Sequence, residues 1–268
     1  MDFLTFDFMR RALLAGALVG FATPSVGIFL VQRRLALMGD GIGHVVFMGV
    51  AAGLLLGIPL LVSALLFAAG GAAAIEMLRQ RGKTSSDVAL ALIFYAGISG
   101  GVLLLGLGNV STLRLNGVLF GSLLTVNEID LWIVTAVAAS TSLVMHVMRK
   151  QLFAVAYDEE IARVSGLPVS TINLLVAIAA AITVAVTAKV VGILLVAALL
   201  VLPVAAVQQI SRSFRSTFYG SLVVGVLVTT SGLVIAFYAD LPPAATIVPV
   251  SIALFMIASA ARVLLRTG

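Results

Sequence analysis

Along this chain the polar residues fall in short clusters, and the apolar runs between them are long enough to cross a bilayer. A membrane-spanning helix needs roughly 20 predominantly apolar residues. Nine runs qualify: 8–31, 37–57, 60–78, 87–107, 130–148, 169–188, 190–209, 217–238 and 244–264. The stretch 115–126 is apolar but too short to cross, and it suits a re-entrant or interfacial helix whose ends are satisfied by protein or water. The pattern therefore predicts an all-α integral membrane protein of about nine transmembrane helices plus that short helix. With no internal repeat and no low-complexity tract, 1–268 reads as a single transmembrane domain. Small residues four apart, such as Gly16/Gly20 and Gly49/Gly53, predict close helix packing.

The clusters between the runs orient the chain. Arg33 and Arg34, then Arg79, Arg81 and Lys83, then Arg149 and Lys150, then Arg212 and Arg215, and finally Arg262 and Arg266 fall at alternate ends of successive spans. Lys and Arg accumulate in cytoplasmic loops, so the N-terminus is expected outside and the C-terminus inside, with Arg10 and Arg11 as exceptions. The longest cytoplasmic loop, 149–168, has helical order. Asp158 can cap a helix, Glu159 and Glu160 suit its first turn, and Gly166 with Pro168 ends it. A short surface helix of this kind is either a connector or a dock for a soluble partner.

Composition agrees with the pattern. The chain is 62% hydrophobic and 10% charged, against about 25% charged in a soluble domain. A net charge of +5 follows from the basic loops and does not point to nucleic acid. The absence of cysteine excludes disulfides and thiolate metal sites. The first run, starting near Phe8, lacks a small-residue cleavage pattern and reads as a span rather than a cleaved signal.

Two ionisable residues interrupt the second run. Asp40 and His44 stand four apart, on one helix face. An ionisable pair in a span is functional by default, and a carboxylate beside an imidazole is half of a first-row metal site. Gly39, Gly41, Gly43 and Gly49 clear bulk around it. The competing role is a buried hydrogen-bonded pair that locks helix packing. Two ligands do not close a zinc shell, but a two-fold dimer with these helices near its axis would supply two Asp and two His. Binding needs Asp40 ionised and His44 neutral, so it weakens on acidification.

Other candidates carry less. Lys189 can snorkel to the outer interface or set charge along a pathway. Pro203 should kink its span. His146 reads as interfacial, Asp87 as a first-turn acid, and Glu128 and Asp130 as acids of a solvated outer loop. Gly82-Lys83-Thr84-Ser85 imitates the end of a phosphate-binding loop, but Met77 stands where that motif needs glycine. Any ATPase powering transport is then another chain. With two His and no H-E-x-x-H, an intramembrane metalloprotease is a poor fit.

Four stretches together resemble the permease subunit of the zinc/manganese ABC importers, the ABC-3 family. They are Gln32 through Asp40 leading to His44, Leu119-Phe120-Gly121-Ser122-Leu123-Leu124, Asp158 through Pro168, and Val191 through Ala205. The resemblance runs over about 10–265. Val204-Ala205-Ala206 and Met48-Gly49 depart from the family's usual Ala-Thr-Ala and Pro-Gly. The resemblance implies a type II importer permease in a bacterial cytoplasmic (inner) membrane, working as a homodimer. Its partners are cytoplasmic ABC ATPases and an extracytoplasmic metal-binding solute-binding protein. It is not itself an enzyme, holds no permanent cofactor, and uses ATP only through its partner. The family's Asp-x-x-x-His pair falls on Asp40 and His44. Its coupling helix falls on about 152–166, with Tyr157, Asp158, Glu159, Glu160, Ala162, Arg163 and Gly166 as the residues expected to meet the ATPase. Lys189 before Val-Val-Gly and the imidazole ligand favour zinc as cargo. A manganese or iron importer of the same family, and a stand-alone ion-coupled metal transporter, are the alternatives.

Overall fold

A computed structural model of the chain describes residues 6–80, 86–108, 119 and 127–267. Its helices are α1 Asp7–Gln32, α2 Met38–Leu56, α3 Leu60–Gln80, α4 Ser86–Gly108, α5 Glu128–Val147, α6 Arg149–Tyr157, α7 Glu159–Val164, α8 Val169–Val191, α9 Val196–Ile210, α10 Phe214–Ala239 and α11 Pro243–Thr267. A 3₁₀ turn, Ile193–Leu195, joins α8 to α9. The nine runs read as spans are helical, apart from a break in 190–209. Among the described residues, eight helices are long and apolar enough to cross a membrane. The ninth, α9, has 15 residues and rises only about 22 Å. The expected 190–209 span is thus broken at Gly192, whose φ of 97° disfavours any side chain. α9 runs unbroken through Pro203. Re-entrant segment 115–126 and the 82–85 motif lie outside the described residues, as does 119–124 apart from Leu119.

Local chemistry ends the helices where the polar clusters fall. Arg34 (φ 58°) turns the chain out of α1, Gly57 (φ 69°) closes α2 and Asp240 (φ 53°) closes α10. Asn127 opens α5 with a full capping box: its side chain accepts from the Asp130 amide, and Asp130 accepts from the Asn127 amide. Ser213 caps α10.

α1 and α8 form the buried centre, with α4 and α11 the least covered spans. The close packing expected of the glycines is present. A Cβ on Gly20 would sit 2.5 Å from the Gly225 carbonyl oxygen, so α1 and α10 touch backbone to backbone. Gly49 and Gly53 likewise admit the Ser63 turn of α3, where the Ser63 hydroxyl donates to the Gly49 carbonyl at 2.6 Å.

The surface helix differs from expectation. Residues 152–166 are two helices, not one, because Asp158 leaves helical geometry (φ −153°, ψ 109°). Asp158 then caps the second piece, its carboxylate accepting from the amides of Glu160 and Ile161, both at 2.9 Å.

Candidate metal pathway and coupling surface

α2 begins at Met38, so Asp40 lies in its first turn and His44 one turn deeper. Their nearest atoms, Asp40 Oδ1 and His44 Nε2, are 3.9 Å apart. That is too long for a direct hydrogen bond between the two side chains. Two ligand atoms about 2.1 Å from one ion at the tetrahedral angle stand about 3.4 Å apart, so a side-chain movement of about 0.5 Å would bring the two to a shared ion. The Asp40 side chain is 42% exposed and that of His44 13%. Three elements converge here. Phe94 of α4 meets the His44 ring edge-on at 4.3 Å. Gly97 of α4 lies against the His44 backbone, and Gly43 faces the Ile193 carbonyl at the α8–α9 break. The glycines therefore let neighbouring backbones close on the helix that carries the pair. Among the described residues, no three or more His, Asp, Glu or Cys side chains are grouped to hold a metal. One chain thus offers two side-chain ligands at this site.

The two surface helices divide the predicted coupling residues. Tyr157, Glu160, Arg163 and Gly166 are exposed, together with Ile161 and Val164. Asp158 serves the cap. Ala162 is 2% exposed and turned into the bundle, so it anchors α7 and does not belong to an outward surface. Glu159, one turn before it on the same face, is also drawn inward. It pairs with Arg33 and accepts from Asn173 Nδ2 of α8 at 3.3 Å. Gly166 (φ 84°) reverses the chain, and the Leu167 amide donates back to the Ala162 carbonyl at 3.1 Å. Phe153 of α6 stacks on Phe214 at 4.7 Å.

Sequence reasoning missed the polar cluster behind this surface. The Arg33 side chain, just past α1, is only 7% exposed. Burial lowers its pKa from the ordinary arginine value, against the opposing pull of Glu159. Glu76 of α3 is buried and accepts from Arg79 at 2.8 Å and Gln80 at 3.2 Å. Its one visible signal was an acid inside an apolar run, between Ile75 and Met77.

At the opposite end of the bundle Lys189 of α8 pairs with Asp130 of α5. Asp130, expected in a solvated loop, is 4% exposed. It is buried because α5 starts at Glu128, two residues before the expected 130, and its capping acid faces Lys189 of α8. Glu128 beside it pairs with Arg11 at 2.7 Å. His146 is partly buried, its Nε2 2.9 Å from Arg149 and its Nδ1 3.4 Å from the Tyr219 hydroxyl. Asp87 is a first-turn acid of α4, as expected.

The ABC 3 transport family matches residues 5–262 of the chain. A protein of Treponema pallidum named "Probable metal transport system membrane protein" is 32% identical over 254 residues, 95% of each chain. The manganese import system permease protein ScaB of Streptococcus gordonii is 28% identical over 94% of this chain and 90% of its own. Among solved structures, PsaBC from Streptococcus pneumoniae in complex with Fab superposes with a TM-score of 0.82 at 28% identity, covering 96% of this chain and 94% of that one. An ABC transporter in an inward-facing conformation, 18% identical, shares the fold with a TM-score of 0.70 over 92% and 85% of the two chains. The fold is that of a type II importer permease. The chain belongs to the ABC 3 transport family. It is the membrane subunit of an ABC transporter and not itself the ATPase.

Proposed function

We propose that this chain forms the translocation pathway of an ATP-driven divalent metal importer, with manganese as its cargo. The observation that carries the reading is the Asp40/His44 pair, open at one side and a small side-chain movement from sharing an ion, in a chain whose named relatives include manganese import permeases. Nothing among those relatives favours zinc, and Lys189, which suggested it, is engaged with Asp130. Two copies facing across a two-fold axis bring two Asp40 and two His44 side chains to one ion. A solute-binding protein delivers the ion, and ABC ATPases dock on α6–α7 through Tyr157, Glu160 and Arg163. Helix alternation gathers Arg33, Arg79, Arg149 and Arg262 at the end that carries α7, which supports a cytoplasmic face there, an external N-terminus and a bacterial inner-membrane location.

The test is uptake into vesicles holding this chain with its ATPase and solute-binding protein. ATP-dependent manganese uptake is expected from the wild type and not from Asp40→Asn/His44→Ala that still assembles. Equal uptake by the double variant would remove the pair from the pathway. Uptake of zinc but not manganese would overturn the cargo, and uptake by this chain alone would favour the stand-alone transporter.

A further inference from the structure

The polar cluster behind α7 ties a surface element to the helix that carries the metal ligands. Glu159 is the first residue of α7, and its carboxylate takes Arg33 from the end of α1 and Asn173 from α8. Arg33 pairs with Glu159, and Glu76 and Arg79 of α3 act on its charge from nearby, the acid favouring it and the cation opposing it. Exposed ion pairs contribute little; here the Arg33 side chain is 7% exposed and that of Glu159 39%, so the cation is buried and depends on its acid partner, while the acid keeps one side in water. The turn from Arg33 to α2 is tight: the Arg34 amide donates to Val31, Leu35 to Leu30 at 2.8 Å and Met38 to Leu35 at 2.9 Å. With no slack in that turn, a displacement of Arg33 reaches the first turn of α2, where Asp40 sits.

We infer that the Arg33–Glu159 pair is the latch through which movement of α7 shifts the α1–α2 turn and so the Asp40/His44 ligands. Arg33 and Glu159 are positioning residues for transport; neither touches the ion. The inference rests on α6–α7 being the ATPase dock. It differs from that reading in assigning the transmission to one ion pair and not to the apolar contacts of Leu152, Val155 and Ala162 with the core.

The experiment uses the complete transporter in vesicles and reads manganese moved per ATP hydrolysed. Arg33→Gln and Glu159→Gln are each expected to lower that ratio about five- to tenfold, a typical coupling effect, while hydrolysis continues. The charge swap Arg33→Glu/Glu159→Arg is expected to restore most of it. A pair that only stabilises the fold would lower melting temperature and leave the ratio unchanged, and that result overturns the latch. If the single variants do not assemble, the swap decides: an assembled swap with a low ratio also overturns it. A cysteine at Val164, exposed on α7, separates the two levels. Cross-linking to the ATPase with an unchanged ratio in Glu159→Gln sinks the latch alone. No cross-link under conditions of active transport sinks the docking reading and the latch with it.

Discussion

One methyl group at Gly97 tests whether packing between α2 and α4 positions His44. A Cβ there would lie 2.6 Å from the His44 carbonyl carbon, 2.7 Å from the Val45 nitrogen and 2.8 Å from the His44 oxygen. Ordinary contact begins at 3.4 Å, so the helices must part or slide by about 0.8 Å at that depth. All three atoms are backbone, and no rotamer change relieves them. Overpacking of this kind costs roughly 1–3 kcal/mol, and the upper half of that range is expected because nothing soft gives way. Metal ligands tolerate shifts of about 0.2 Å, so the displacement disturbs the site as well as the fold. Gly97→Ala should melt earlier in detergent, and its manganese uptake should fall at least about tenfold, the equivalent of 1.4 kcal/mol. Gly106→Ala is the control: it is on the same helix with nothing within 4 Å of its Cβ, and should match the wild type. If Gly97→Ala also matches it in uptake and melting, backbone contact with α4 does not hold His44 in place.

Lys189→Met strands a buried Asp130. Breaking a buried pair costs about 3–5 kcal/mol, and with the Lys189 side chain 37% exposed we expect about 2 kcal/mol after discounting for solvent. Adding Asp130→Asn should recover it, and an unchanged melting point for Lys189→Met would show that Asp130 is not isolated from water. Gly166→Ala places a side chain at φ 84° in open space, so its cost is backbone strain of about 1–2 kcal/mol. Amide exchange across 159–164 should quicken, and exchange at the wild-type rate would contradict the strain. Zinc binds nitrogen–oxygen sites more tightly than manganese. Free zinc should therefore inhibit manganese uptake by the wild type, and excess manganese should relieve the block; inhibition that excess manganese does not relieve would place the zinc effect elsewhere.

The spans were legible because a bilayer imposes a length and an apolar composition on every crossing helix, and each run turned out helical. The Asp158 cap and the Gly166 stop were legible because capping depends on residues next to one another in the chain. Long-range polar contacts were not. Nothing near Asp130 in sequence announces Lys189, 59 positions away, and Glu159 looked like a simple first-turn acid until Arg33 was found against it. The position of the break was blurred for a related reason: apolar residues continue on both sides of Gly192, so hydropathy put the boundary between the two spans at Lys189 and made the second a full span, where backbone geometry gives a helix of 15 residues. The face of α7 was not legible: only the packed bundle shows that Ala162 points inward and that Glu159 meets Arg33.

The cargo needs a different kind of argument from the fold. An imidazole beside a carboxylate reads as a zinc preference, yet affinity at any such site rises from manganese to zinc whatever the site transports. Ligand identity at a point of passage therefore ranks the ions and does not name the one carried. What the geometry does specify is a pair of side chains 3.9 Å apart, one of them 42% exposed, which on the proposed function leaves an ion's shell incomplete. Water or the same residues of a second copy can fill the remaining positions, and positions filled by water oxygen suit manganese. Such a shell holds either ion loosely enough to release it. On the proposed function, selection then falls to the step before entry, at the protein that delivers the ion. On this reading the permease needs a site that lets go, and Asp40 and His44, with no third side-chain ligand grouped beside them among the described residues, fit that requirement better than a complete zinc site would.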